Sequence, residues 1–357
     1  MAVTAASILL DMRQGRFAPV YVLHGEEGYY IDKISDYIET NALDEMAREF
    51  DQTVIYGRDL PGADIAPAIS AARGFAMMGG KKVVLVKEAQ QVKKWEALNL
   101  YLDNIQPDTI LVICYKHGKV DGRLGVWKKV EKQGGVLFQS DKLKDYQVEK
   151  WIIDYIQEKN QELQAKGDSV QIDERITGIL AASIGTDLTA IVGALQKLID
   201  GRPEGVHKID ASLVERNIGI SKDYNVFELQ DALIKGDVVR ANRITQYFAS
   251  SKDHPMIKEM GILYNFFSNL MIYHYLSDKT DRVAAPLLGV SPYAMRDYPA
   301  ASRRFNQMKT FRIIGYFREI DARLKGINNP SAKEEDLWKE LIYKILAKHS
   351  EDRLVFG

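Results

Sequence analysis

The chain has 357 residues, of which 46% are hydrophobic and 27% charged, with a formal net charge of −1. A chain of this length can form two or three domains with separate cores, and its balanced charge excludes the basic field of a stand-alone nucleic-acid binder. The lone cysteine, Cys114, excludes an intramolecular disulfide framework and a cysteine-based zinc site, which favours a reducing compartment.

The N-terminal stretch MAVTAASILLDMRQG lacks the basic leader and the cleavage site that a secretory signal requires. No apolar run approaches the roughly 18 residues of a membrane span. We therefore expect a cytoplasmic protein without a membrane partner.

The first 140 residues alternate short apolar runs with segments of helical periodicity, which is the signature of a parallel sheet flanked by helices. Five strands are predicted: Val20–Leu23, Thr53–Tyr56, Val83–Val86, Thr109–Tyr115 and Val136–Phe138. Apolar residues at helical spacing mark the segments between them: Ile31, Ile34 and Ile38; Ile65 and Ile69; Trp95, Leu98 and Leu102. We predict an α/β domain over residues 1–141.

From about Lys142 onward one helical pattern follows another, and no further strand is predicted. Three amphipathic helices, the break at Gly201–His207 and an N-cap at Asp210 predict a small helical domain over residues 142–223. An all-α domain is predicted over residues 224–357, with helices at Val238–Ser250, Pro255–Leu276, Met308–Lys325 and Ala332–Lys348. Gly326 and Pro330 are typical of a helix stop.

The segment Val20–Asp32 has the strand, turn and helix of a nucleotide-binding P-loop without its chemistry. A P-loop needs a second glycine, a lysine and a hydroxyl to wrap phosphate, neutralise it and hold magnesium. Counted from Gly25, those positions hold Tyr30, Ile31 and Asp32. Glu26 and Glu27 place negative charge where phosphate would bind, whereas in a first helical turn they favour the helix dipole. We predict no nucleotide cofactor and no ATPase activity.

Other catalytic patterns are absent from the sequence. The third strand is followed by Lys87 and Glu88, not by the acidic pair of a magnesium-binding strand. The histidines, at positions 24, 117, 207, 254, 274 and 349, show no metal-ligand spacing. No G-x-S-x-G occurs, so we predict no catalytic residue and no metal site.

The stretch Ala285–Ser291, followed by Arg296, Arg303 and Arg304, superficially matches a helix-turn-helix. Pro286 and Pro292 favour a plain helix break there. A DNA-binding regulator using Ser291–Arg304 and an atypical nucleotide hydrolase remain the alternative functions.

Two adjacent methionines, Met77 and Met78, lie in the loop Phe75–Gly80 before the third strand. They either tuck under the sheet edge or form a flexible apolar plug for a partner's pocket, because methionine adapts its shape and exposed apolar patches mark interfaces. The residues alone leave both interpretations open.

Several stretches, in this order and spacing, resemble the delta subunit of the bacterial DNA polymerase III clamp loader over nearly the full chain. They are Pro19–Glu27, Gly185–Leu188 with Leu195–Leu198, Val226–Leu233, and Gly289–Tyr293 followed by Asp321–Gly326. The resemblance implies a RecA-like, AAA+-type α/β domain without a working nucleotide site, a small helical lid and an all-α collar. The three predicted domains match this division.

The resemblance also implies that the first domain grips the sliding clamp and opens one of its interfaces. The collar would assemble with the gamma or tau subunits and with delta prime, and primer-template DNA would be met through the whole complex. In the family the clamp is held by two adjacent hydrophobic residues, usually leucine and phenylalanine, at positions that match Met77 and Met78, with Phe75 close by.

Two departures limit the resemblance. The lid helix has Gly193 and Ala194 where the family often has asparagine and glutamate. The collar loop Gly326–Asn329 has no aromatic residue, so we do not expect that loop to contact DNA.

Overall fold

The computed structural model describes residues 3–78, 80–165, 167–221, 224–251, 254–327, 331 and 333–347. The chain divides into two compact units, one comprising Met1–Leu143 with Asp187–Thr189 and the other Lys144–Thr186 with Ala190–Gly357. Within the described ranges, none of the helices has both the length and the apolar character needed to cross a membrane.

A five-stranded sheet forms the centre of the first unit, with all neighbouring strands parallel. The strands are β1 (Val20–Gly25), β2 (Gln52–Tyr56), β3 (Lys82–Lys87), β4 (Thr109–Lys116) and β5 (Val136–Ser140). Their order across the sheet is β2-β3-β4-β1-β5. The five predicted strands are confirmed. Strands β1, β3 and β4 are buried on both faces, which is why they form continuous apolar runs.

Helices cover both faces of this sheet. They are α1 (Ala5–Arg13), α2 (Gly28–Asn41), α3 (Glu45–Asp51), α4 (Ala66–Arg73), α5 (Glu96–Tyr101) and α6 (Gly125–Lys132). Ile69, Leu98 and Trp127 join the core on one face, and Ile34 joins the core on the other. The predicted helical stripes of α2, α4 and α5 are confirmed, whereas the short helices α1, α3 and α6 were not predicted.

Cys114 lies on β4 and is buried, as expected for a small hydrophobic residue. Burial raises the pKa of its thiol to about 12, so it stays protonated and inert at neutral pH.

The second unit is mainly helical. Its helices are α7 (Asp145–Gln164), α8 (Glu174–Ile184), α9 (Leu188–Asp200), α10 (Ala211–Ile218), α11 (Val226–Lys235), α12 (Val238–Ser250), α13 (Met256–Tyr275), α14 (Asp281–Leu288), α15 (Tyr298–Arg304), α16 (Gln307–Leu324) and α17 (Glu334–Leu346). The predicted cap at Asp210 is present, since its carboxylate accepts the Leu213 N–H at 2.8 Å. The predicted end at Lys348, the stop at Pro330 and the boundary at residue 223 lie outside the described residues, as do His349, Asn328 and Asn329.

One prediction about this region is wrong. A small parallel sheet forms where no strand was expected, from β6 (Gln171–Ile172) and β7 (Lys208–Ile209). Two residues are too few to give a readable period. The helix break predicted within Ala285–Ser291 is present, because α14 ends at Leu288 and Gly289, with φ of 64°, is its C-cap. Pro286 itself lies inside the helix.

Helix α15, inside the segment considered for DNA reading, buries Tyr298 and Ala301 against the helical core. Arg296, just before it, lies 3.7 Å from the Glu174 carboxylate. One side of α15 is thus packed against the helical core, whereas Arg296 and Glu174 both remain exposed.

Candidate functional site: a loop and a turn of the α/β unit

The loop after β1 keeps the backbone path of a strand, turn and helix. Gly25 has φ of 143°, and a side chain there would overlap the Ser140 carbonyl. Helix α2 begins at Gly28, and the Glu27 carboxylate caps it by accepting the Tyr29 N–H at 2.8 Å. The predicted placement of Glu26 and Glu27 in the first helical turn is wrong, because Glu27 is the cap and both residues precede the helix.

The positions that would bind phosphate in a P-loop are occupied by contacts within the protein. Ile31 is fully buried in the core between the sheet and α1–α2. The Asp32 carboxylate lies 2.5 Å from the Nζ of Lys116 at the end of β4. Lys87, at the end of β3, lies 2.7 Å from the Glu39 carboxylate. The loop is therefore packed and its nearby charges are paired.

His24 precedes this loop on β1 and is buried. Burial lowers the pKa of its imidazole below 6.5, which favours the neutral ring at pH 7. Its Nδ1 has no hydrogen-bond partner among the described residues.

The turn that follows α4 has the opposite character, because its apolar side chains lie in solvent. Phe75 is 86% exposed, Met77 75% and Met78 49%. Gly79, the next residue, lies outside the described residues. The alternative that the methionines tuck under the sheet edge is therefore wrong, whereas the clamp-binding role of these side chains stays a prediction.

A buried carboxylate holds the main chain of the turn. Asp51 ends α3, is 1% exposed, and accepts the N–H of Met77 at 2.5 Å and that of Met78 at 3.0 Å. Hydrogen bonds to an ionised acceptor are stronger than neutral ones, so they fix the backbone from which both methionines project. Sequence reasoning missed Asp51. No local signal was available, because its partners lie 26 and 27 residues further along the chain.

Helix α3 also carries exposed apolar side chains. Met46 is 66% exposed and Phe50 is 53% exposed. They are four residues apart and share one side of the helix.

The parallel sheet with helices on both faces and the mainly helical second unit agree with the fold class predicted from the sequence. Residues 21–139 match the family described as DNA polymerase III, delta subunit. This range contains both the Gly25–Asp32 loop and the Phe75–Met78 turn.

Full-length comparisons agree with that match. The chain is 23% identical to the DNA polymerase III subunit delta of Bacillus subtilis over 355 residues, which cover 96% of each protein. It is 23% identical over 270 residues to a probable delta subunit of Aquifex aeolicus, covering 73% of this chain and 72% of that one.

A solved structure shares the fold. The Bacillus subtilis DNA clamp loader delta protein aligns with a TM-score of 0.50 and 18% identity, covering 96% of this chain and 99% of that one. The chain is therefore similar to the DNA polymerase III delta subunits, and the resemblance inferred from its sequence is confirmed.

Proposed function

We propose that this chain is the non-catalytic, clamp-binding subunit of a replicative clamp loader. It binds the ring-shaped sliding clamp through Met77 and Met78, with Phe75 beside them, and helps to open the ring for loading onto primed DNA. The single observation that supports this role is the exposure of three large apolar side chains in one turn, within the range that matches the delta family.

The free energy gained by burying the side chains of the turn is large enough for a small element at the centre of an interface. Burying each methionine in an apolar pocket contributes roughly 1.5–3 kcal/mol before ordering costs, and a few such residues carry most of the affinity of an interface. Because the turn is held by Asp51, less backbone ordering remains to be done on binding.

The packed loop supports the non-catalytic part of the proposal. A lysine at position 31 would have to leave the core to meet a phosphate, and the carboxylate at position 32 already lies against Lys116. ATP binding and hydrolysis therefore belong to other subunits of the loader, and this chain contributes binding to the clamp.

The other partners follow from the delta family. The collar, residues 224–357, assembles with gamma or tau and with delta prime, and primer-template DNA is contacted through the assembled complex in the cytoplasm. The chain needs no cofactor or metal of its own for this role.

The test is a titration of the full chain against the sliding clamp of its own organism. We expect Met77→Ala with Met78→Ala to weaken binding by about 100-fold or more, because two anchors are lost. The far-ultraviolet circular dichroism spectrum should not change, since both side chains are exposed.

A matched control replaces two exposed leucines of the same unit, Leu10→Ala with Leu100→Ala. This variant should bind the clamp as the wild type does. Wild-type affinity in the methionine variant would refute the proposed binding site. Tight magnesium-dependent binding of a fluorescent ATP analogue would instead favour a nucleotide hydrolase, and salt-dependent binding of the isolated chain to duplex DNA would favour the regulator.

A further inference from the structure

Helix α3 presents the same kind of surface as the turn. Over its seven residues it exposes Met46 and Phe50, with Glu45 and Glu49 next to them, and buries only Asp51. Single exposed apolar residues are ordinary on protein surfaces, but contiguous apolar patches mark interaction sites. The question is therefore whether the exposed side of α3 is continuous with the turn.

The Asp51 carboxylate connects the two elements. It is one residue beyond Phe50, and it receives hydrogen bonds from main-chain groups 26 and 27 residues further along the chain. A buried carboxylate is expensive unless its oxygens are satisfied. Asp51 meets this requirement with the Met77 and Met78 N–H groups, one on each oxygen. The end of α3 is thereby fixed against the turn.

We propose that the clamp-binding surface has two elements, the turn and helix α3, with Met46 and Phe50 contacting the same partner as Met77 and Met78. Asp51 is the positioning residue that joins them. This inference rests on the proposed function, because the occupant of the whole surface is the sliding clamp. The surface, defined as Met46, Phe50, Phe75, Met77 and Met78, is called the bipartite surface below.

The composition of the bipartite surface indicates what it contacts. All five side chains are uncharged and large, and three of them are methionines, whose unbranched side chains adapt to irregular apolar pockets. The proposal requires that the clamp has an apolar pocket that receives the turn and, next to it, an apolar surface that contacts α3. A turn that is already fixed relative to the helix can meet both regions at once, which lowers the ordering required on binding.

The experiment compares three variants of the full chain with the wild type: Met46→Ala with Phe50→Ala, Asp51→Asn, and Met77→Ala with Met78→Ala. Clamp affinity is measured by titration, and hydrogen exchange of the Met77 and Met78 amides is measured in the free protein. The leucine variant Leu10→Ala with Leu100→Ala again serves as the control.

For Met46→Ala with Phe50→Ala we expect affinity about 10-fold to 100-fold weaker, with amide exchange at the turn unchanged, because contacts are lost but the turn stays held. For Asp51→Asn we expect at least about tenfold faster exchange at Met77 and Met78 together with about tenfold weaker binding. Asparagine keeps one acceptor oxygen and replaces the other with a donor.

The outcomes separate this inference from the function on which it rests. Wild-type affinity after Met77→Ala with Met78→Ala overturns the proposed function itself. Loss of binding in that variant, combined with wild-type affinity in the Met46 and Phe50 variant, overturns the second element alone.

Asp51→Asn with weakened binding but unchanged amide exchange would overturn the positioning role. If that variant fails to fold, Met46→Ala with Phe50→Ala still decides the extent of the surface, because both residues are exposed.

Discussion

The Gly25–Asp32 loop and the Phe75–Met78 turn belong to the same unit, yet they treat side chains in opposite ways. The loop buries Ile31 and pairs the half-exposed Asp32 carboxylate with Lys116. The turn leaves its apolar side chains in solvent and uses a buried carboxylate only to hold its backbone. The loop is packed as part of the fold of this unit, whereas the turn exposes apolar surface that the isolated fold does not require.

If the proposed function holds, the loop contributes to stability and the turn to clamp binding. Local rules of folding are followed in the loop, where apolar groups are inside and nearby charges are paired. They are broken in the turn, where large apolar groups face water. Such violations are expected at functional sites, so variants that move one region toward the character of the other should separate stability from clamp binding.

The largest effect is expected when the P-loop lysine is restored. Ile31→Lys removes a fully buried side chain and introduces a charge into the core between the sheet and α1–α2. We expect a loss of about 4 kcal/mol or more in the free energy of unfolding of the α/β unit. The measurement is denaturant unfolding, monitored by hydrogen exchange of amides in the sheet. A probe in the sheet is needed because the two units need not unfold in one step.

The matched substitution in the turn is Met78→Lys, which places the same side chain at a position that is 49% exposed. It should change stability by no more than about 0.5 kcal/mol while weakening clamp binding. If Ile31→Lys were as stable as wild type and gained ATP binding, the description of the loop as packed structure would be wrong.

A smaller loss of stability is expected when a single methyl group is added in the loop. Gly25→Ala places a Cβ on the Ser140 carbonyl at a backbone angle that favours glycine. Strain and overpacking together should lower the free energy of unfolding by about 2–4 kcal/mol. Thermal unfolding compared with wild type measures this loss.

Gly80, beside the turn, provides the contrast. A Cβ there meets no atom within 4 Å and the backbone has no positive φ. Gly80→Ala should therefore be neutral or should stabilise the protein by up to about 1 kcal/mol through the unfolded chain. Equal losses in the two glycine variants would contradict the comparison between loop and turn.

Much of the first unit could be predicted from its sequence. Strands β1, β3 and β4 were predictable because parallel strands buried on both faces are continuous apolar runs. The less buried β2 and β5 are short β-rich runs. The defective P-loop was predictable because the motif fixes residue types at fixed spacing. The pair Met77–Met78 was noticeable for its glycine-flanked position, although only the structure shows that the side chains are exposed.

The remaining features depend on contacts between distant residues. Asp51 acts through hydrogen bonds that span 26 and 27 residues, and no local pattern encodes them. The pairing of Gln171 with Lys208 in β6 and β7 was missed for the same reason. Glu27 was predicted in the first helical turn but is the cap of α2. The two positions differ by one residue, and sequence patterns do not fix a helix boundary that closely.

The last effect is a pH dependence that belongs to the loop region and not to the turn. Burial lowers the pKa of His24 below 6.5, while Asp141 raises it and Lys119 lowers it by smaller amounts. Below pH 6.5 the unfolded chain therefore binds a proton before the folded chain does, and the free energy of unfolding falls as pH falls, by at most about 1.4 kcal/mol per pH unit for one proton. The contribution is fully present above the unfolded pKa.

Comparing His24→Gln with wild type at pH 7.5 and pH 5.5, by denaturant unfolding, isolates this contribution, because His274, whose pKa burial also lowers, is present in both proteins. The glutamine variant should lose less stability on acidification than the wild type. Met77→Ala with Met78→Ala should keep the full wild-type acid dependence, since no titratable group is removed from the turn. An equal acid loss with and without His24 would show that its ring is solvated, and that the region preceding the Gly25–Asp32 loop is less closely packed than its burial indicates.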